Sequence, residues 1–307
     1  MEVQAPRAAY YDDHRLSRAR CQPHRSRRMS GDEPGPELLI EHSGSISWIV
    51  LNRPAQANAL SRTLIESFSA ALRTLEDEGA PVIGIRANGK GFCSGMDLGQ
   101  YGGAAVLDPT ADSRRLNENV ARWLAIWDHP KPVIAAVHGY CAGVAAQMCI
   151  FADLTVVADN VRISEPGVPI GGGFIAPTWV AQVGAKRAKE FAFLPGNSID
   201  GPTAVEWGWA NHCVPADRLV ESVESLAARM ALIPSDVLRI KKLSINRAAE
   251  AAGFRTATGG IAEMDSLLHA APSVLAIRER MTTLGLKAVL DEYRGPSSTA
   301  IMNSFKE

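Results

Sequence analysis

Two short glycine-containing segments carry the residue pattern that could hold a negatively charged oxygen. The first runs from Gly91 to Leu98 and the second from Gly139 to Val144. In each, glycine permits a tight turn between an apolar β-rich run and the start of a helix. The first N–H groups of a helix have no partner within it, and the helix dipole favours an anion there. Two such turns converging on one point would form an oxyanion hole for an enolate or a tetrahedral adduct.

Two other motifs overlap the first segment. The run 84–90 matches the first seven positions of a phosphate-binding P-loop, but Gly91 stands where Ser or Thr would bind magnesium, so a nucleotide site is not expected. Gly91, Cys93 and Gly95 copy the spacing of a nucleophile elbow, with cysteine in the serine position. A cysteine hydrolase would also need a downstream histidine, and the candidates are His138, His212 and His269. The favoured interpretation is that Cys93 is a small buried residue, as free cysteines usually are.

The hydrophobic pattern predicts the elements that must position these turns. Strands are predicted over residues 38–42, 46–51, 82–87, 133–137 and 154–158, the first two forming a hairpin. Helices are predicted after the N-cap Ser61, over residues 116–127 and over residues 144–151. Beyond the glycines at 171–173 the pattern predicts helices alone. Strands alternating with helices and then helices alone indicate an α/β core with a helical C-terminal region.

Composition excludes several classes of protein. The 307 residues are 46% hydrophobic and 21% charged, which is ample for a large core. With 32 basic and 33 acidic side chains the formal net charge is −1, which argues against a nucleic-acid binder held by phosphate contacts. No apolar run approaches the roughly 20 residues of a membrane helix, so no membrane partner is expected. The five cysteines show no C-x-x-C pair or zinc-like spacing, which favours reduced thiols and a cytoplasmic location.

The N-terminal segment differs from the rest of the chain. Residues 1–29 contain seven arginines, no lysine and three acids. They contain no apolar segment typical of a secretory signal, and the acids argue against a transit peptide. We interpret residues 1–36 as a disordered Arg-rich tail or a mis-assigned start, with Met29 as the natural beginning, and exclude them from the fold prediction.

Four ordered motifs, spread over roughly residues 38–290, resemble those of the crotonase superfamily, the enoyl-CoA hydratase/isomerase family. They are Leu51–Leu60, Gly91–Leu98, Lys131–Asp153 and Ile199–Val214. The resemblance implies a crotonase-like spiral of ββα units over residues 37–233. It also implies a helical trimerisation region over residues 234–307 and assembly as a homotrimer or a dimer of trimers. The resemblance further implies an acyl-CoA substrate and a place in lipid metabolism. It implies no metal or redox cofactor, because coenzyme A enters as part of the substrate.

The resemblance also implies site residues. The thioester oxygen would lie between the backbone N–H groups of Met96 and Val144, and coenzyme A would pass near residues 52–60. Substrate contacts are expected from Asp97, Leu98, Gly99, Gly143 and Trp123. The indole of Trp123 fits a pocket wall or the core equally well.

The departures from the family pattern concern proton transfer. Hydratases of this family hold one water with two glutamates, and the matching positions here are Gln147 and Gly167. Glutamine cannot take up a proton and glycine has no side chain, so ordinary hydration is not expected. Glu165 is the candidate substitute base, whereas Asp97 is better explained as a helix-start residue and Glu118 is a weaker candidate.

Three hypotheses follow from the sequence. The first is an enzyme that processes an acyl-CoA thioester through an enolate held in a backbone oxyanion hole, with Met96, Val144, Gln147 and Glu165 as candidate catalytic residues. The second is a non-catalytic acyl-CoA-binding or carrier protein that has lost the hydratase glutamates. The third is the cysteine hydrolase, which requires a reactive Cys93.

Overall fold

The apolar runs form two β-sheets in the computed structural model, which describes residues 35–101, 108–171 and 176–306. The strands are β1 (Leu38–Ser43), β2 (Ile46–Leu51), β3 (Val82–Ala87), β4 (Val133–Val137), β5 (Tyr140–Ala142), β6 (Leu154–Ala158), β7 (Arg162–Ser164), β8 (Ser198–Asp200) and β9 (His212–Val214). One sheet has the order β1-β2-β3-β4-β6-β9 and the other the order β5-β7-β8. β1 pairs antiparallel with β2 and β7 with β8, and the other pairs are parallel.

Helices separate and cover these strands. They are α1 (Arg62–Asp77), α2 (Leu98–Tyr101), α3 (Pro109–Trp127), α4 (Val144–Ile150), α5 (Ala176–Phe193), α6 (Gly201–Trp207), α7 (Leu219–Met230), α8 (Ser235–Ala251), α9 (Phe254–Gly259), α10 (Ile261–His269), α11 (Pro272–Leu284), α12 (Leu286–Glu292) and α13 (Ser298–Asn303). None of the described helices is both long and apolar enough to span a membrane.

The structure confirms the predicted strands of the first half and corrects the prediction for the second half. The hairpin forms, and the Ser61 hydroxyl caps α1 by accepting a hydrogen bond from the Leu64 N–H. The expectation of helices alone after residue 173 is wrong, because β8 and β9 lie in that part. Each has three residues, too few to show a period of two, and each exists because an edge strand of a sheet offers it a partner.

Both faces of the six-stranded sheet are covered, as the alternating side chains of β2 show. Ile49 and Leu51 pack in one hydrophobic cluster with the apolar face of α1, which includes Leu64. Trp48 packs in the other cluster with α7. Successive side chains of a strand point to opposite faces, so a strand that is wholly apolar needs cover on both sides.

The C-terminal helices pack on this core. The Lys242 ammonium of α8 donates hydrogen bonds to the carbonyls of Ile126 and Lys131 and forms a 2.7 Å ion pair with Asp153. The Phe254 ring of α9 stacks on Trp127 with centroids 4.3 Å apart. Residues 234–306, which are all described, contain helices and no strand. The predicted tail over residues 1–36 lies, apart from Gly35 and Pro36, outside the described residues.

Sheet topology brings the two glycine turns to one place. β3 and β4 are parallel neighbours, so their carboxyl ends meet at the same edge of the sheet. The first turn follows β3, and the second follows β4 through the short strand β5. Ligand sites of open parallel sheets form at this edge, where the loops after the strands converge.

Candidate active site

The two glycine turns are joined directly by backbone hydrogen bonds. The N–H of Cys93 donates to the Tyr140 carbonyl at 3.1 Å, and the N–H of Ala142 donates to the Cys93 carbonyl at 3.0 Å. A β-carbon added to Gly95 would lie 3.0 Å from the Ala142 oxygen and 3.8 Å from the Val144 nitrogen. Only glycine fits this close approach, and its φ of +95° is one that side chains rarely allow.

The amides of Met96 and Val144 are the donors that these turns leave unused. Asp97 N–H donates to the Leu60 carbonyl, and Leu60 N–H donates to the Gly95 carbonyl, so the Met96 N–H lies outside this bridge. Val144 is the first residue of α4 and has no acceptor within the helix. Neither N–H has a hydrogen-bond acceptor among the described residues. Two donors in adjacent turns, one at a helix start, can stabilise a negative oxygen.

Glu165 is held beside the second turn by its neighbours. Gly143 N–H donates to the Ser164 carbonyl at 3.0 Å, and a β-carbon on Gly143 would lie 3.4 Å from Pro166 Cγ. Glu165 N–H donates to the Asn197 carbonyl at 2.8 Å. The strand β7, which ends at Ser164, therefore ties the segment that contains Glu165 to the second turn, and Glu165 and Val144 line the same cavity.

The Glu165 carboxyl group is buried without a hydrogen bond or ion pair from the described residues that would offset the cost of its burial. The residue is 8% exposed, and its side chain makes no hydrogen bond or ion pair with the described residues. Burial raises the pKa of Glu165 to about 8 because it disfavours the charged form. A carboxyl group with a pKa near neutrality can both accept and return a proton, which is the property of a general base.

One large cavity connects these groups. Its volume is about 1270 Å³, enough for a ligand larger than a typical drug molecule. The predicted residues that line it are Met96, Asp97, Leu98, Gly99, Gly143, Val144 and Glu165. Its walls come from the loop before α1, both glycine turns, α3, the loop after β7, α10, α11 and α12. The C-terminal helices thus close the site of their own chain.

Two of the predicted site residues lie outside this cavity. Trp123 is 1% exposed and packs edge-on against Phe68 in the core, with centroids 6.1 Å apart, so the pocket-wall position expected for it is corrected to a core position. Gln147 is also 1% exposed and points to α5, where its amide lies 3.4 Å from the Thr178 hydroxyl. The weaker candidate Glu118 is exposed on α3 and faces Arg122.

A leucine occupies the space at Gly167. A β-carbon on Gly167 would lie 2.8 Å from Cδ2 of Leu290 in α12. Any side chain at this position therefore requires Leu290 to move. The replacement of the second glutamate is thus coupled to the way in which the C-terminal region packs over the cavity.

Arg53 and Asn58 are scaffold residues that sequence reasoning missed. Arg53 forms ion pairs with Asp97 at 3.1 Å and with Glu37 at 2.8 Å. Asp97 Oδ1 accepts the Gly99 N–H at 3.1 Å, which supports its interpretation as a helix-start residue. The buried Asn58 amide donates to the Asn88 and Gly91 carbonyls and so ties the two loops together. The signal was available, since both residues fall in the first of the four motifs.

A polar cluster in the cavity wall was also missed. It consists of Asp112 and Arg115 from α3 together with Asp265 and His269 from α10. No sequence spacing predicts it, because α3 and α10 are far apart in the chain. The described residues contain no group of three or more His, Cys, Asp or Glu side chains arranged to hold a metal ion.

The structure argues against a nucleophilic Cys93. Its side chain is 0% exposed, and burial raises the pKa of the thiol to about 12. His138 lies instead against the Gly89 carbonyl, and His269 pairs with Asp112. The P-loop alternative is also excluded, since residues 84–87 lie inside β3.

We expect native Cys93 to resist alkylation. A thiol with a pKa near 12 is almost wholly protonated at pH 8, and only the thiolate reacts. Iodoacetamide at pH 8 should therefore label Cys93 at least about tenfold more slowly than the half-buried Cys213, followed by mass spectrometry of peptides. A Cys93 that reacts first, with loss of activity, would restore the hydrolase hypothesis.

Comparison with known proteins identifies the family. The family model for enoyl-CoA hydratase/isomerase matches residues 41–281. The chain is 31% identical over 231 residues to the enoyl-CoA hydratase domain-containing protein 3, mitochondrial, of Rattus norvegicus, covering 74% of this chain and 76% of the relative. It is 29% identical over 220 residues to a hydroxycinnamoyl-CoA hydratase-lyase of Pseudomonas fluorescens, covering 69% and 79%.

Solved structures agree in fold. A crystal structure from Novosphingobium aromaticivorans, assigned as an enoyl-CoA hydratase/isomerase, superposes with a TM-score of 0.86 at 56% identity, covering 88% of this chain and 100% of that one. An enoyl-CoA hydratase/isomerase from Xanthobacter autotrophicus superposes with a TM-score of 0.79 at 28% identity, covering 84% and 97%. The fold, the ordered motifs and the family match agree, and the chain belongs to the enoyl-CoA hydratase/isomerase family of the crotonase superfamily.

Proposed function

We propose that the protein is an enzyme that forms an enolate from an acyl-CoA thioester, with Glu165 as its base. The observation that carries this proposal is the buried Glu165 carboxyl group, which has no partner among the described residues and lines the same cavity as Val144. An unpaired buried carboxyl group costs stability, and such groups recur where chemistry requires them. The same cavity contains the two unused amides.

The chemistry needs one base and one oxyanion hole. Glu165 takes the proton from the carbon next to the thioester carbonyl, and the electron pair of that C–H bond moves onto the carbonyl oxygen. The N–H groups of Met96 and Val144 donate to this oxygen, and one such donor can contribute about 3 kcal/mol in the transition state. Glu165 then returns the proton two carbons further along an unsaturated chain, which completes an isomerisation. If the substrate instead carries a leaving group on the next carbon, its departure completes a lyase reaction.

Simple hydration is less well supported. It requires a water held and activated between two acidic groups, and here Gln147 lies outside the cavity and Gly167 has no side chain. The named relatives include a 1,2-epoxyphenylacetyl-CoA isomerase of Escherichia coli, 28% identical over 225 residues, and the hydratase-lyase. Isomerase and lyase activities therefore occur among the relatives beside those named as hydratases.

The family resemblance supports a homotrimer or a dimer of trimers, and the cysteine pattern, which favours reduced thiols, supports a cytoplasmic location. Exposed apolar side chains between α7 and α8 and on α8 support a subunit contact, since Leu232 is 69%, Ile240 65% and Ile245 67% exposed.

A non-catalytic acyl-CoA-binding or carrier protein is the second candidate. The absence of an acid at both hydratase positions favours it, because binding needs the cavity and the amides but no proton transfer. The two candidates differ in turnover, since both bind the thioester and only the enzyme consumes it.

The deciding experiment is a panel of 2-enoyl-, 3-enoyl-, 3-hydroxyacyl- and branched-acyl-CoA thioesters. Enoyl absorbance and released thiol are followed together, so that isomerisation, hydration and hydrolysis are distinguished. We expect a shift of the double bond or loss of a β-substituent without thiol release. Tight binding of several esters with turnover of none would favour the carrier protein.

Placing a glutamate at position 167 tests whether the missing acid and the packing of Leu290 together prevent hydration. We expect Gly167→Glu alone to give little hydration, because Leu290 fills the space. The double variant Gly167→Glu/Leu290→Ala should hydrate 2-butenoyl-CoA at least about tenfold faster than its control Gly167→Gln/Leu290→Ala, since only the glutamate can activate water. Equal hydration rates in the two double variants would show that the missing acid does not limit hydration.

A further inference from the structure

The first glycine turn is held by a largely buried guanidinium group. One nitrogen of Arg53, Nη1, donates to the Ala59 carbonyl at 2.5 Å and to Asp97 Oδ2 at 3.1 Å. Only 10% of the Arg53 side chain is exposed, and Arg53 is not among the described residues that line the cavity. Its influence on a bound thioester therefore passes through the groups it contacts, of which Ala59 and Asp97 line the cavity.

These contacts reinforce the backbone bridge that surrounds the Met96 amide. Leu60 N–H donates to the Gly95 carbonyl at 2.8 Å, and Asp97 N–H donates to the Leu60 carbonyl at 3.2 Å. The residues before and after Met96 are thus both tied to Leu60. Arg53 adds a side-chain bond between the same two segments of the chain. Because a peptide N–H lies in the plane of its own peptide group, fixing both neighbours fixes the direction of the Met96 N–H.

The turn needs such restraints from outside. Gly95 has a φ of +95°, and Gly99 is a second glycine four residues later, so the backbone on either side of Met96 has wide conformational freedom. Helix α2, which begins at Leu98, has four residues and is too short to be stable alone. Asp97 Oδ1 accepts the Gly99 N–H at 3.1 Å, so the Asp97 carboxylate connects the start of α2 to Arg53.

Arg53 is itself fixed on the opposite side. Its Nε forms an ion pair with Glu37 Oε1 at 2.8 Å, and Glu37 Oε2 accepts a hydrogen bond from the Ser61 hydroxyl at 2.5 Å. The backbone N–H of Arg53 donates to Asn58 Oδ1 at 2.8 Å. The guanidinium is therefore bound on two sides, and its position is transmitted to Asp97 rather than lost in side-chain motion.

Arg53 also balances the charge next to the oxyanion hole. The Asp97 carboxylate follows Met96 directly, lines the cavity and is only 17% exposed. A negative group in a partly buried site repels a second negative charge more strongly than it would in water. It would therefore oppose the negative oxygen that the Met96 amide stabilises. A guanidinium stays charged at all working pH values, so its ion pair with Asp97 offsets this repulsion.

We propose that Arg53 is a positioning residue of the oxyanion hole. Acting through Asp97, it orients the Met96 N–H and neutralises the carboxylate beside it. This inference rests on the proposed acyl-CoA function, because it concerns the same oxyanion hole, and it adds a residue that does not contact the substrate. The loss of Arg53 should therefore affect the polarisation of the bound carbonyl and kcat more than the affinity for the thioester.

The direct test is the infrared spectrum of bound butanoyl-CoA labelled with carbon-13 at the thioester carbonyl. This saturated ester has no double bond to move and no leaving group, so the spectrum reports binding alone. Hydrogen bonds from the oxyanion hole lower the carbonyl stretching frequency, and Arg53→Met should lose most of this lowering. Arg86→Met is the matched control, because Arg86 is also part-buried and paired with a carboxylate, that of Glu41 at 2.5 Å, but does not line the cavity. It should keep the full shift.

Kinetics in two backgrounds test whether Arg53 acts through Asp97. In the wild type, Arg53→Met should lower kcat by about 10²-fold, with a smaller change in the dissociation constant measured by calorimetry. In an Asp97→Asn background the same substitution should change kcat by less than about threefold, because the pair acts as a unit. Arg53→Lys is a milder change that keeps the charge but not the fork, and it gives the same comparison if Arg53→Met does not fold.

The proposal is overturned if the wild type does not lower the carbonyl frequency, or if the Arg53 variants keep the wild-type shift and rate. Equal losses of kcat in the two backgrounds would also overturn it, because Arg53 would then act independently of Asp97. A carbonyl shift that depends on Arg53, without turnover of any thioester, would keep this inference and reject the proposed catalysis. Turnover that depends on Glu165 but not on Arg53 would do the reverse.

Discussion

Replacing Glu165 with glutamine should lower kcat by ~10²–10⁴-fold while the dissociation constant of the thioester changes little. Glutamine has the same shape and fits the same buried space, but it cannot take up a proton. The two amides and the cavity walls remain, so substrate still binds. The measurement is kcat and KM on the best substrate of the panel, with thioester binding followed separately by calorimetry.

The matched control is Glu118→Gln. Glu118 is an exposed acid on α3 that does not line the cavity, so its loss tests whether removing a negative charge is enough to lower the rate. Full turnover in Glu165→Gln would reject Glu165 as the base and leave the fold assignment intact.

The pH dependence of catalysis provides a second test of the same group. The base must be ionised to accept a proton, and burial raises the pKa of Glu165 to about 8. kcat/KM should therefore rise about tenfold per pH unit below pH 8 and level off above it. An ordinary glutamate would already be fully ionised at neutral pH. A profile that is flat between pH 6 and 9 would contradict the assignment.

The raised pKa of Glu165 also makes the free energy of unfolding depend on pH, in a direction that follows from the shift. Because the folded pKa is above the ordinary value near 4.5, protonation of Glu165 favours the folded state. This contribution is fully present below that ordinary value and is lost as the pH rises through about 8. Glu165→Gln should therefore be more stable than the wild type at pH 9, by on the order of a few kcal/mol, and should differ little at pH 4.5. Urea unfolding at both pH values measures this difference.

Replacing Gly95 with alanine should lower kcat/KM by roughly 10²-fold or more, comparable to removing one donor of an oxyanion hole. The added β-carbon would lie 3.0 Å from the Ala142 carbonyl oxygen, a backbone atom that cannot swing away as a side chain can. The two turns must then separate, and the Met96 amide moves relative to the Val144 amide. An oxyanion hole depends on distances of about 3 Å, so a small displacement has a large effect on the rate.

Gly44→Ala is the control for this variant. Gly44 also has a positive φ, of +53°, but a β-carbon there would meet nothing within 4 Å, and the residue lies in the β1–β2 hairpin. Both variants carry the backbone penalty of a side chain at positive φ. We expect only Gly95→Ala to lose activity beyond its loss of stability, measured by thermal unfolding. Equal activity of the two variants would show that the geometry of the turn at Gly95 does not limit catalysis.

Local features of the sequence were sufficient to predict much of this protein. The strands β2, β3, β4 and β6 are continuous apolar runs, and α1 begins at Ser61 because a serine hydroxyl can satisfy a free N–H of the first turn. The two glycine turns were recognisable because glycine, a preceding strand and a following helix are all encoded within about ten residues. The four ordered motifs then identified the family, and the family match confirms it.

The tertiary structure decided which residues face the cavity. Trp123 and Glu165 were both candidate site residues from the sequence, yet Trp123 lies in the core and Glu165 lines the cavity. Whether an indole or a carboxyl group is buried, and against what, depends on contacts between distant segments. The pKa of Glu165 depends on the same burial and cannot be calculated from its neighbours in the chain.

The C-terminal region shows most clearly which features the sequence predicts and which depend on tertiary packing. Its helices were predictable from their composition, but not that α12 would place Leu290 over Gly167 or that α10 would bring His269 to Asp112. The sequence by itself determined the elements, the turns and the family, because those depend on residues close together in the chain. The base, the filled hydratase position and the polar cluster exist only after helices far apart in sequence pack around one cavity, since burial and hydrogen-bond geometry are properties of that packing.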